Sequence, residues 1–78
     1  MATQVAKRSV VVAGHRTSIS LERGFWDALR ELAQAESKTI NQLVSEIDQG
    51  RTGNLSSAIR VYVLQAARHG RLSATQTT

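Results

Sequence analysis

The stretch His15-Arg16-Thr17-Ser18-Ile19-Ser20-Leu21 limits this chain more than any other, because it alternates like a half-buried strand and no second stretch of its kind follows. A period of two puts Thr17, Ile19 and Leu21 on one face and Arg16, Ser18 and Ser20 on the other. A single strand leaves backbone donors and acceptors unpaired along both edges, which is costly when buried and adhesive when exposed. The economical partner is the same strand of a second copy, lying antiparallel across a twofold axis. The expected ribbon then has one face on a shared core and the other free to read a ligand.

Size points the same way. A chain of 78 residues is one domain with a modest core, and it has no cysteine with which to staple it. Only His15 and His69 could serve a metal as imidazole ligands, so neither a metal nor another cofactor is expected, and oligomerisation is the favoured source of extra stability. The lack of cysteine suits a reducing cytoplasm, the expected location. The longest apolar run, Val10 to Ala13, is too short for a secretory signal or a membrane span. The formal charge of +4 and a pI near 10.8 double their effect in a pair of chains and favour a polyanionic partner. Basicity alone does not name the polyanion.

Residues 1–14 are expected to form a flexible arm, with Lys7 and Arg8 placed just before the strand where they could grip phosphate. Val10-Val11-Val12 has high β propensity, and Ala13-Gly14 separates it from the alternating stretch, so the ribbon could begin at Val10 or at His15. From about Arg23 to Ala35 the period becomes helical, with Phe25, Leu29, Leu32 and Ala33 on the apolar face and Trp26 flanking it as a rim residue. Thr39 and Gln42 fit a capping box, followed by Ile40, Leu43, Val44 and Ile47, in a helix that runs to about Gln49 and stops at Gly50. After the loop 49–53, Asn54 caps a third helix whose face carries Leu55, Ala58, Ile59, Tyr62, Val63 and Ala66. Val61 and Leu64 lie outside that stripe, so the helix is expected to be buried on more than one side, again as in a dimer. Arg68, His69 and Arg71 collect at its end beside Gly70, a C-cap candidate. The domain thus spans 15–70, and 71–78 is expected to be a disordered tail.

No catalytic apparatus is evident. His15 and His69 stand far apart, no serine sits in a glycine elbow, and no glycine-rich phosphate loop precedes a helix, so the chain is not expected to be an enzyme. Double-stranded DNA suits it better, because the major groove admits a two-stranded ribbon. Arg16 can fork onto guanine, while Ser18 and Ser20 donate or accept less selectively; the bland alternative is a solvated sheet face. The start of the second helix offers Thr39, Ile40 and Asn41, with Lys38 nearby, as a phosphate clamp.

Arg16 to Leu21, the helix to Ala33 and Thr39-Ile40-Asn41-Gln42-Leu43-Val44 together resemble the ribbon-helix-helix family of bacterial DNA-binding proteins, of the MetJ and Arc type. The resemblance covers roughly Arg16 to Ile47. It implies a mainly α fold with one β-strand, an intertwined homodimer sharing a two-stranded antiparallel ribbon, and DNA phosphates held at the second helix. By position, Arg16, Ser18 and Ser20 resemble the base-reading face, and Thr39 and Asn41 the helix-start anchor. Thr17, Ile19 and Leu21 resemble the inward face of the dimer core, to which Phe25, Leu29, Leu43, Val44, Ile47, Ile59 and Tyr62 are added. The break at 49–53 and the third C-terminal helix depart from the usual pattern; that helix could enlarge the core, build higher oligomers or receive another protein. The implied activity is that of a transcriptional regulator, a repressor before an activator. An antitoxin-like DNA-binding protein with a protein partner, and a dimerising module that no longer touches DNA, are the alternatives.

Overall fold

The computed structural model describes residues 4–72, in the order β1 (Val5–Val12), β2 (His15–Glu22), α1 (Arg23–Ala35), α2 (Ile40–Gln49) and α3 (Leu55–Arg68). The strand that lacked a partner has one in its own chain. β1 pairs antiparallel with β2, from Val12 opposite His15 to Val5 opposite Glu22. Ala13 and Gly14 form the connection, with φ of 53° and 81°. Positive φ at both central residues is what a two-residue type I′ hairpin requires. Gly14 adopts it freely, whereas Ala13 carries a steric cost of about 1–2 kcal/mol.

This corrects two expectations. Residues 5–12 are a strand and not part of a flexible arm, and the chain itself supplies β2 with an antiparallel partner in β1. Residues 1–3 and 73–78, the start of the arm and most of the expected tail, lie outside the described residues.

The inward face of the hairpin explains why the sheet folds onto the helices. Val10 and Val12 from β1 and Ile19 and Leu21 from β2 are all buried, with Ala6 and Thr17 half-buried beside them. They pack on Trp26, Leu29, Leu32 and Ala33 of α1, Leu43 and Val44 of α2, and Ile59, Val63 and Ala66 of α3. Of the residues assigned to a dimer core, Ile19, Leu21, Leu29, Leu43, Val44 and Ile59 are therefore buried by their own chain, and Thr17, Phe25, Ile47 and Tyr62 are half-buried. The core closes without a second copy because β1 supplies the layer that the partner was expected to bring.

The buried stripe of α1 is also rotated from the expected one. Trp26 is 2% exposed and donates its Nε1–H to the Ala6 carbonyl at 2.9 Å, while Phe25 is only half-buried. The Arg60 guanidinium lies 5.9 Å from the Phe25 ring and pairs with Glu22 at 3.0 Å, covering that side. On α3, Val61 and Leu64 are 54% and 55% exposed, so the expected burial on a second side does not occur within the chain.

Helix ends follow the sequence closely. Thr39 and Gln42 form the reciprocal capping box, with bonds of 3.0 and 2.8 Å, and Asn54 caps α3 by accepting from the Ser57 amide at 3.1 Å. α3 ends with Gly70 at φ 72° and the Arg71 amide donating to the Ala66 carbonyl at 2.9 Å. α1 ends in the same way, with the Lys38 amide donating to the Ala33 carbonyl at 2.8 Å, but Ser37 holds the left-handed position at φ 57°. A glycine takes that conformation without the Cβ clash, so Ser37→Gly is expected to stabilise the fold by about 0.5–1 kcal/mol in a denaturant titration.

Candidate nucleic-acid interface

The hairpin register builds the site. Side chains alternate across each strand, so burial of Val10, Val12, Ile19 and Leu21 forces the intervening positions outward. β2 thus presents Arg16, Ser18 and Ser20, all exposed. β1 presents Lys7, Ser9 and Val11 on the same side, opposite Ser20, Ser18 and Arg16 respectively. Sequence reading missed Ser9 and Val11 as members of this face. The alternation that would have revealed them is masked by Arg8, a cation standing in the inward row.

Lys7 and Arg8, adjacent in sequence, therefore part company. Lys7 joins the outward face, whereas the Arg8 guanidinium lies 5.5 Å from the Trp26 ring centroid and shields the indole from the inward side. Only Lys7 keeps the orientation wanted for a ligand laid across the ribbon.

The two edges of the ribbon differ. Val11 turns its backbone away from β2: its N–H donates to Asn41 Oδ1 at 3.2 Å, and its carbonyl accepts from the Ser45 hydroxyl at 3.4 Å. The start of α2 is thereby fixed beside β1. Alternation in an antiparallel ladder then turns the backbone groups of Arg16, Ser18 and Ser20 toward the outer edge of β2. There the Ser20 carbonyl accepts from the Ser56 hydroxyl of α3 at 3.4 Å, and no third strand adds to the sheet among the described residues.

The proposed phosphate clamp is more occupied than its sequence suggests. The Thr39 hydroxyl is used in its own cap, and the Asn41 side chain holds Val11. Ile40 is half-buried. Lys38 Nζ sits 2.6 Å from Glu46 and 2.9 Å from Glu36, and Glu36 also pairs with Arg71. Hydrogen bonds from these carboxylates, Glu46 first, raise the Lys38 pKa, and the Lys38 bond in turn holds the Glu36 carboxyl below its usual range. Two cations and two carboxylates leave that cluster neutral. What remains for an anion at this end is the exposed backbone of the first turn of α2.

No group of three or more His, Cys, Asp or Glu side chains is arranged to hold a metal among the described residues. His69 Nδ1 lies 2.8 Å from the Gln65 carbonyl at the end of α3, remote in sequence from His15 at the hairpin tip. No helix among the described residues is long and apolar enough to cross a membrane.

The ribbon-helix-helix domain model matches residues 5–67, a span that begins with β1 and runs through the hairpin, α1 and α2 into α3. The chain belongs to the ribbon-helix-helix family. Among solved structures, this ribbon-helix-helix chain is similar to an uncharacterized protein from Bordetella pertussis Tohama I, at 30% identity and a TM-score of 0.73, over 97% of this chain and 68% of that one. No curated protein matches it. Family membership accounts for the ordered ribbon, α1 and α2, and the third helix lies within the matched span up to residue 67.

Proposed function

We propose that the protein is a sequence-specific regulator of transcription, acting as a repressor, that binds double-stranded DNA through its β-ribbon in the cytoplasm and works as a homodimer without catalysis. The observation that carries this reading is the exposed row Arg16, Ser18 and Ser20 on a two-stranded ribbon whose other face is buried. Such a ribbon fits the major groove, where each base pair presents a distinct pattern of donors and acceptors. The net positive charge adds affinity that does not depend on sequence and falls with salt. The exposed first turn of α2 beside β1 and the open edge of β2 supply backbone donors for phosphates on either side.

Arg16 is the long cationic donor of the β2 row and is assigned the guanine contact. The experiment is selection of bound fragments from random DNA, followed by titration of the chosen site and of random DNA at one salt concentration. Arg16→Ala is expected to cost about 1–3 kcal/mol on the chosen site and to relax preference at one base pair, with a much smaller loss on random DNA. An equal loss on both would make Arg16 a phosphate contact. Absence of any salt-dependent retention on DNA would favour an interaction module instead.

A second reading adds a protein partner on α3, as in an antitoxin. It is favoured by Val61 and Leu64, large apolar side chains more than half exposed at adjacent turns of one helix. The same surface could serve the second copy of a homodimer. Sedimentation of wild type and of Leu64→Glu tests that assignment, because the wild type alone should associate if α3 makes the dimer.

A further inference from the structure

We propose that β1 is a second reading strand, and that Val11 seats against a thymine methyl group beside the guanine taken by Arg16. The proposal rests on the DNA-binding reading above and adds to it the class of base step recognised. Val11 is 42% exposed directly across the ladder from Arg16, on a face whose other apolar side chain, Val5, stands at the far end of the hairpin opposite Glu22. An exposed valine in such a row has nothing apolar of its own chain to cover the outward part of its surface. The thymine C5-methyl is the one apolar group that the major groove presents.

The position is held firmly enough to be selective. Asn41 and Ser45 fix the Val11 backbone on both its donor and acceptor sides, and a β-branched side chain has little rotamer freedom. Directly opposed side chains in an antiparallel pair stand about 4.5–5.5 Å apart, against a rise of about 3.4 Å per base pair, so Val11 and Arg16 reach the same or neighbouring steps. Lys7 and Ser9 continue the row toward the far end of the hairpin, opposite Ser20 and Ser18. Arg8 is excluded from it by its stacking on Trp26.

Width decides which strands can enter the groove. Two strands about 4.8 Å apart fit a groove about 12 Å wide, so the hairpin of a single chain is a complete reading element. A four-stranded sheet made by joining two β2 edges would span about 14 Å between its outer strands, placing both β1 strands over the phosphates. The proposal therefore commits to the intrachain hairpin as the inserted ribbon.

Replacing thymine by uracil removes only the methyl group and tests this directly. On the site selected by wild type, each thymine is replaced in turn and affinity is measured for wild type and Val11→Ala, with thermal melting as the check that the variant is folded. Wild type should lose about four-fold, the value of one buried methyl group, at a thymine within one base pair of the guanine whose preference Arg16→Ala relaxes. Val11→Ala should no longer distinguish thymine from uracil there. Indifference of wild type to every thymine methyl, with guanine preference retained, overturns this proposal alone. Equal sensitivity in Val11→Ala also overturns it. Failure to retain any DNA overturns both this proposal and the reading on which it rests.

Discussion

Trp26→Ala is expected to lower the unfolding free energy by about 3–5 kcal/mol, a large part of the stability of a domain this small. Three losses coincide at that position. The indole is 2% exposed at the centre of the contact between α1 and the hairpin, so its removal leaves a cavity lined by the main core. Its Nε1–H is the donor to the Ala6 carbonyl, and its ring is the surface on which Arg8 rests. Trp26→Phe keeps most of the apolar volume but neither the indole donor nor the full ring, and should fall between wild type and Trp26→Ala. Urea titration followed by circular dichroism gives the order. Near-wild-type stability of Trp26→Ala would return the residue to the rim, where its place in the sequence suggested it lay.

Ile19→Lys is expected to abolish folding outright. Ile19 is 3% exposed on the inward face of β2, where a lysine ammonium has no carboxylate to meet, since no charged or polar residue is buried in this core among the described residues. Burying an unpaired charge costs more than such a domain can lose, and the alternative of moving the strand by one residue would bring Ser18 and Ser20 inward instead. The neighbouring substitution Ser18→Lys places the same charge on the exposed face and should leave the melting transition nearly unchanged. A folded Ile19→Lys would mean that the two faces of β2 have been exchanged.

Much of this architecture is legible in the residues themselves. The alternation from Arg16 to Leu21 determines which face of β2 turns inward, because the side-chain period of a strand is two regardless of what lies beside it. Thr39 with Gln42 and Asn54 with the Ser57 amide determine where α2 and α3 begin, since a cap is a local bond between a side chain and backbone three residues on. The outward placement of Arg16, Ser18 and Ser20 comes from the same local rules. Tertiary structure alone decided where the strand finds its partner. Ala13-Gly14 lacks the Asn or Asp that marks a tight hairpin, and Arg8 interrupts the apolar row of β1, so residues 5–12 read as an arm. Once the chain folds back, Arg8 no longer counts against a strand, because Trp26 offers its ring as a cover that is adjacent only in space. The same closure buries a core within the single chain, with Trp26 instead of Phe25 in it, and leaves Val61 and Leu64 facing outward from that chain. It also commits the Asn41 side chain to the Val11 amide thirty residues away, a contact of which sequence spacing carries no record, whereas Lys38 is paired locally with Glu36 and Glu46.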